Sequence, residues 1–218
     1  MSDYIKITET PSDYSDLEFM STRSILENIN REDQKVAEAV QKVIPQLTRL
    51  VDALEERFYE GGRLFYIGAG TSGRLGILDA SEIPPTYGMP HNRVIGLIAG
   101  GDSAIRKAVE FAEDDTKQAW IDLKSYTITD KDVLVGIAAS GTTPYVLGGI
   151  SDAKKHGILT AGINNNPGSP LATLSDIPIE INVVAEFVTG STRMKSGSSQ
   201  KLALNMNSTA LMIRVARV

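Results

Sequence analysis

Three short loops of this 218-residue chain concentrate the groups that hold anions and sugar hydroxyls. The first is Gly68-Ala69-Gly70-Thr71-Ser72-Gly73, the second Ser140-Gly141-Thr142-Thr143, and the third Thr189-Gly190-Ser191-Thr192-Arg193. Glycine lets backbone N–H groups approach an anion, and serine and threonine hydroxyls add donors where a helix begins, so such loops suit a monophosphate. The candidate binding residues are Gly70, Thr71, Ser72, Ser140, Thr142, Thr143, Ser191 and Thr192. Arg193 and Lys195 follow the third loop as cations for a phosphate or carboxylate, although residues so placed are more often merely solvated. Each loop also has a plainer explanation. Thr143 or Ser191 alone would be an ordinary N-cap, and every α/β domain has tight strand-to-helix turns. The three together favour one polyhydroxylated phosphate ligand.

The first loop also fits the G-x-G-x-x-G pattern of dinucleotide sites. That chemistry wants an acid at the end of the second strand to hold the ribose, and the first acid after 94–98 is Asp102, too far along. A dinucleotide is not expected at this loop. The absence of cysteine excludes thiolate nucleophiles and Cys-ligated zinc, and His91 and His156 lack metal-ligand spacing, so no metal is expected. His156 before Gly157 reads as a helix C-terminus, and Trp120 as a core anchor at the end of its helix.

Two acids could move protons. Glu82 lies in Asp79-Ala80-Ser81-Glu82-Ile83-Pro84-Pro85, where Pro84 disfavours helix at its predecessor, which places Glu82 near a helix end and open to a cleft. Glu113 lies in Val109-Glu110-Phe111-Ala112-Glu113-Asp114-Asp115, read as helix; Glu110 and Glu113 share a face there, and spacing alone does not choose between them.

Short apolar runs position these loops. Runs at 64–67, 94–98, 133–138, 159–163 and 177–184 lack polar alternation and are separated by helical stretches at about 72–81, 103–120, 143–156 and 193–217. This predicts a doubly wound α/β sandwich around a mostly parallel five-stranded sheet, with the loops at the carboxyl ends of its strands. Before it, Val36, Val40, Val43, Leu47, Leu50, Leu54 and Phe58 make a helical stripe over about 17–60, with a kink or break at Pro45 near Ile44. Residues 1–16 are polar and aperiodic, an extended arm of the kind that packs on a partner subunit; 17–218 form one domain. The apolar helical pattern of Leu202, Leu204, Met206, Leu211, Met212 and Val215 has no cap residue after it.

The formal charge of −5, from 22 basic and 27 acidic residues without a basic cluster, argues against a nucleic acid partner. No secretory signal or membrane span is apparent, so a cytoplasmic protein without membrane attachment is expected.

The run from Tyr66 through Glu82, followed by Pro84-Pro85-Thr86, resembles the signature of the N-acetylmuramic acid 6-phosphate etherases. The resemblance continues through 96–101, 112–114, 136–141, 143–146, 166–169 and 189–195, and covers the chain from about Ile25 onward. It implies a sugar-isomerase-type (SIS) domain, a homodimer with its cleft near the subunit interface, no cofactor, and removal of D-lactate from the phosphosugar by elimination and hydration during cell-wall sugar recycling. Glu82 matches the family's acid position, which protonates the departing lactate oxygen and then activates water; Glu113 matches the second active-site glutamate, placed at C2 deprotonation or ring opening. The family commonly has Arg where this chain has Thr142, and usually continues into a small C-terminal helical segment that these residues do not include. Glucokinase regulatory proteins and aldose–ketose isomerases share the SIS fold. Glu82 and segment 79–85 favour the etherase over both.

Overall fold

The computed structural model describes residues 4–217; the start of the expected arm, 1–3, and Val218 lie outside them. Five strands, β1 (Leu64–Gly68), β2 (Val94–Ile98), β3 (Val133–Ile137), β4 (Leu159–Asn164) and β5 (Ile177–Glu180), pair in the order β2-β1-β3-β4-β5, and all four pairings are parallel. This is the expected doubly wound α/β sheet, with β5 ending sooner than the apolar run. Alternate residues of each strand face opposite layers. Leu64 and Tyr66 pack with α1 (Thr22–Gln41), α2 (Ile44–Tyr59), α3 (Gly70–Tyr87) and α8 (Lys195–Arg214) on one side. Phe65 and Ile67 pack with α5 (Gln118–Ser125), α6 (Pro144–Lys155) and α7 (Pro170–Leu174) on the other. Leu50, Leu54, Leu64 and Leu134 are wholly buried, each contributing about 2 kcal/mol by removal from water.

The strand order fixes where a ligand can sit. The chain leaves β1 for β2 on one side and returns to β3 on the other, so the loops after β1 and β3 diverge and leave a crevice at their carboxyl ends. The first two hydroxyl-rich loops are those loops.

Pro45 behaves as expected: α1 ends at Gln41 and α2 restarts at Ile44 with the proline in its first turn, where a missing N–H costs nothing. Pro84 does not. Helix α3 runs through Pro84 and Pro85 to Tyr87, because buried Ala80 and Ile83 hold it on the core. Gly88 ends it in the left-handed conformation (φ 62°), donating to the Pro84 carbonyl. The expected helix over 103–120 is instead three pieces: α4 (Ser103–Arg106), a 3-10 turn (Ala112–Asp114) and α5. Phe111 at φ 61° breaks the helix, and Asp115 Oδ1 accepts from Lys117 and Gln118 N–H at 2.8 and 3.2 Å to start α5. Trp120 therefore lies inside α5, stacked on His156 at 4.3 Å, and His156 caps the end of α6. Helix α7 escaped the sequence reading, although Ser169 capping Ala172 N–H with Pro170 behind it is an ordinary start signal.

The arm packs on its own domain. Thr8, wholly buried, donates its N–H to Asn166 Oδ1 at 3.0 Å and accepts from Asn166 Nδ2 at 2.9 Å. Farther on, Ser12 donates to the Phe187 carbonyl at 2.7 Å and its N–H bonds the Thr189 hydroxyl at 2.9 Å.

Candidate active site

A cleft of about 370 Å³ opens at the carboxyl ends of β1 and β3. Gly70, Thr71 and Ser72 line it from the start of α3, and Ser140, Thr142 and Thr143 from the start of α6. Neither helix start is stoppered by a side chain: α3 begins at Ala69, and Thr143 at the N-cap of α6 makes no capping bond. Two helix N-termini with uncapped first turns thus converge on one space, each equivalent to roughly half a positive charge. Gly141 (φ 68°) permits the second loop's approach, since a Cβ there would lie 2.3 Å from Ser169. The Ser140 hydroxyl accepts from Thr142 N–H and Oγ1 at 3.2 and 3.0 Å, which sets the loop's shape.

Ser72 is only partly free for a ligand. Its hydroxyl donates to Gln200 Oε1 at 2.8 Å, Gln200 Nε2 donates to Asn165 Oδ1 at 3.0 Å, and Asn165 Nδ2 donates to Ser199 at 2.8 Å. This buried chain ties the start of α3 to the end of β4 and to α8. Its members Asn165 and Gln200 went unnoticed in the sequence, where the polar cluster after the fourth apolar run was the available signal.

The third loop divides. Thr192 and Gly190 line the cleft, whereas Ser191 and Arg193 do not, and Arg193 is exposed. Lys195 turns inward. It is 1 % exposed, and its Nζ lies 2.6 Å from Glu32 Oε2 on α1. The first N–H groups of α8 are already taken, because Glu186 accepts from Lys195 N–H, Ser196 N–H and the Ser196 hydroxyl at 2.8 to 2.9 Å. Burial alone would raise Glu32, but hydrogen bonds from Lys195, Lys35 and Tyr14 outweigh it and hold the carboxyl at about 2.

Of the two acids, Glu113 lines the cleft, on its 3-10 turn rather than on a helix face shared with Glu110. Glu82 does not. It is exposed on α3, twelve residues beyond Gly70 and so about 18 Å along the axis. The sequence reading missed two further cleft residues, Lys6 and Glu9 from the arm, which carry no motif of their own. An annex of about 210 Å³ shares Ala69, Gly70 and Glu113 with the cleft and extends to Arg74 and Phe111.

Among the described residues no group of three or more His, Asp or Glu side chains could hold a metal ion, and no helix is long and apolar enough to cross a membrane.

Known proteins agree with this architecture. The family model for the glucokinase regulatory protein N-terminal SIS domain matches residues 35–154, and that for the SIS domain matches 116–210. In solved structures the fold resembles a phosphoheptose isomerase from Francisella tularensis (TM-score 0.68, 15% identity, 88% of this chain and 98% of that one) and the Vibrio vulnificus NanR protein complexed with ManNAc-6P (0.61, 18%, 88% and 64%). Curated relatives are much nearer in sequence. Two of them, from Bacteroides fragilis and Christiangramia forsetii, are each named N-acetylmuramic acid 6-phosphate etherase. They are 61% and 63% identical over 99% and 97% of this chain and 76% and 77% of their own lengths. With the glycine- and hydroxyl-rich loops of the signature lining the cleft, the chain belongs to the N-acetylmuramic acid 6-phosphate etherase family and is built on its SIS domain.

Proposed function

We propose that this enzyme, a carbon–oxygen lyase, cleaves the D-lactyl ether of N-acetylmuramic acid 6-phosphate with water, giving N-acetylglucosamine 6-phosphate and D-lactate. The observation that carries the site assignment is the convergence of two uncapped, hydroxyl-lined helix N-termini on one cleft that also holds Glu113. The 6-phosphate rests on Thr71, Ser140, Thr142 and Thr143 and the first turns of α3 and α6. In the open-chain sugar the C1 aldehyde acidifies C2. A base removes the C2 proton, the electron pair becomes a C2=C3 double bond, and the C3–O bond to lactate breaks as its oxygen is protonated. Water then adds at C3 and a proton returns to C2. Glu113, at the cleft, is assigned the C2 proton or ring opening.

Glu82, the acid for the departing lactate oxygen, is too far from its own cleft to do this. The assignment therefore requires a homodimer in which the exposed face of α3 meets the partner's cleft, and exposed Leu78, one turn before Glu82, suits such a contact. Residues 17–218 act as a single domain with 1–16 as its arm. No cofactor takes part, and the reaction serves recycling of cell-wall sugar in the cytoplasm.

The test is D-lactate release from N-acetylmuramic acid 6-phosphate without added metal or nucleotide. Release that Glu82→Ala abolishes is expected. If mixing inactive Glu82→Ala with inactive Glu113→Ala protein restores no activity, the shared site is wrong; formation of a ketose phosphate without lactate would instead identify an isomerase.

A further inference from the structure

The arm does more than cover an edge of the domain. Lys6, just before the 3-10 turn Ile7–Glu9, and Glu9 within it line the cleft, and Thr8 between them is held by the two hydrogen bonds of Asn166. Asn166 Nδ2 also donates to the Ala139 carbonyl at 2.9 Å, just before the second hydroxyl-rich loop, and the Tyr4 hydroxyl donates to the next carbonyl, that of Ser140, in the loop itself. The arm is thus fixed to the very loop that forms one wall of the cleft, with Lys6 and Glu9 on either side of the buried Thr8.

Charge makes this placement consequential. A sugar phosphate carries close to two negative charges at neutral pH, and the cleft already presents the carboxyl groups of Glu9 and Glu113. Among the described residues lining the cleft, Lys6 is the only basic one. Lys195 is spent on Glu32, Arg193 lies outside the lining, and Thr142 supplies no charge. Two helix termini offset only part of a phosphate dianion. Resting on the phosphosugar reading above, we infer that Lys6 is the phosphate-pairing cation of this site, delivered by the arm rather than by a helix-start loop.

Binding of inorganic orthophosphate and of N-acetylglucosamine 6-phosphate to the full chain, measured by titration calorimetry, tests the inference. Lys6 is exposed and its side chain makes no hydrogen bond or ion pair among the described residues, so Lys6→Met should melt with the wild type while binding both probes about thirtyfold more weakly, and Lys6→Arg should restore most of the loss. In lactate release the Met variant should show a raised KM at nearly unchanged kcat. A Met variant that binds both probes like the wild type, or an Arg variant as weak as the Met one, overturns the inference. If the probes follow the expected pattern but no lactate is released, the etherase reading fails and Lys6 keeps its role. If lactate is released with normal KM by the Met variant, the reverse holds.

Discussion

Three helices of this protein begin with a loop rich in glycine, serine and threonine, yet only two of them present uncapped N-termini to the cleft. The starts of α3 and α6 have no side-chain cap and face the cleft, whereas the start of α8 is filled by Glu186, whose carboxylate takes two N–H groups and a hydroxyl. A helix N-terminus attracts an anion in either case. In α3 and α6 the anion must come from outside; in α8 the chain supplies its own, and Lys195 beside it answers Glu32 across the arm side of the domain. One terminus is closed within the fold, and the other two stand uncapped at the cleft.

The largest expected effect comes from breaking the buried ion pair beside the closed terminus. Lys195→Ala leaves Glu32 buried against Lys35 and Tyr14 alone, and should lower stability by about 3–5 kcal/mol, read as a fall of roughly 10 °C in melting temperature. The intact pair also fixes an acid response. Glu32 is held at about 2, below the usual carboxylate range, so its contribution is complete above the unfolded value and is lost as pH falls through about 2. The acid-unfolding curve of a Glu32→Gln variant should be flatter there.

Next in size is the seam where α3 meets α8. Asp79 is buried beside Ser208, which donates to its Oδ1 at 3.0 Å, while Oδ2 has no hydrogen-bond partner among the described residues. Burial pushes this carboxyl up to about 6, with the Ser208 bond holding it partly back. A raised acid favours the folded state while protonated, so this contribution is full below about 4 and is lost as pH rises through about 6. Asp79→Asn should remove the slope and stabilise the protein by up to about 3 kcal/mol at neutral pH, as measured by urea unfolding at several pH values. A variant with the wild-type slope would show that Asp79 is not its source.

At the open termini the expected effects are on binding. Thr143→Val removes a hydroxyl that makes no capping bond, and should weaken phosphosugar binding about tenfold with little change in melting temperature. A loss of stability instead would make Thr143 a structural cap after all. The smallest effect is expected for Arg193→Ala outside the cleft lining, within about twofold in KM; a larger change would bring the third loop into the site.

Much of this molecule was determined by sequence alone. Apolar runs without alternation can be buried only on both faces, so five of them between helices dictate a parallel sheet with helices on each side. Glycine and hydroxyl residues at strand ends mark helix starts wherever the chain finally lies. What the tertiary structure decided is which polar and charged groups meet around these starts, and the partners can be far away in the chain: Glu32 reaches Lys195 across 163 positions, and Thr8 meets Asn166 across 158. Local pattern holds no information about such pairs. For the same reason Lys6 and Glu9 were invisible as cleft residues, and α3 kept its helix through two prolines because burial of Ala80 and Ile83 outweighed the lost backbone bonds. Periodicity settles which face of an element is buried; only packing settles what each buried or cleft-facing charge will meet.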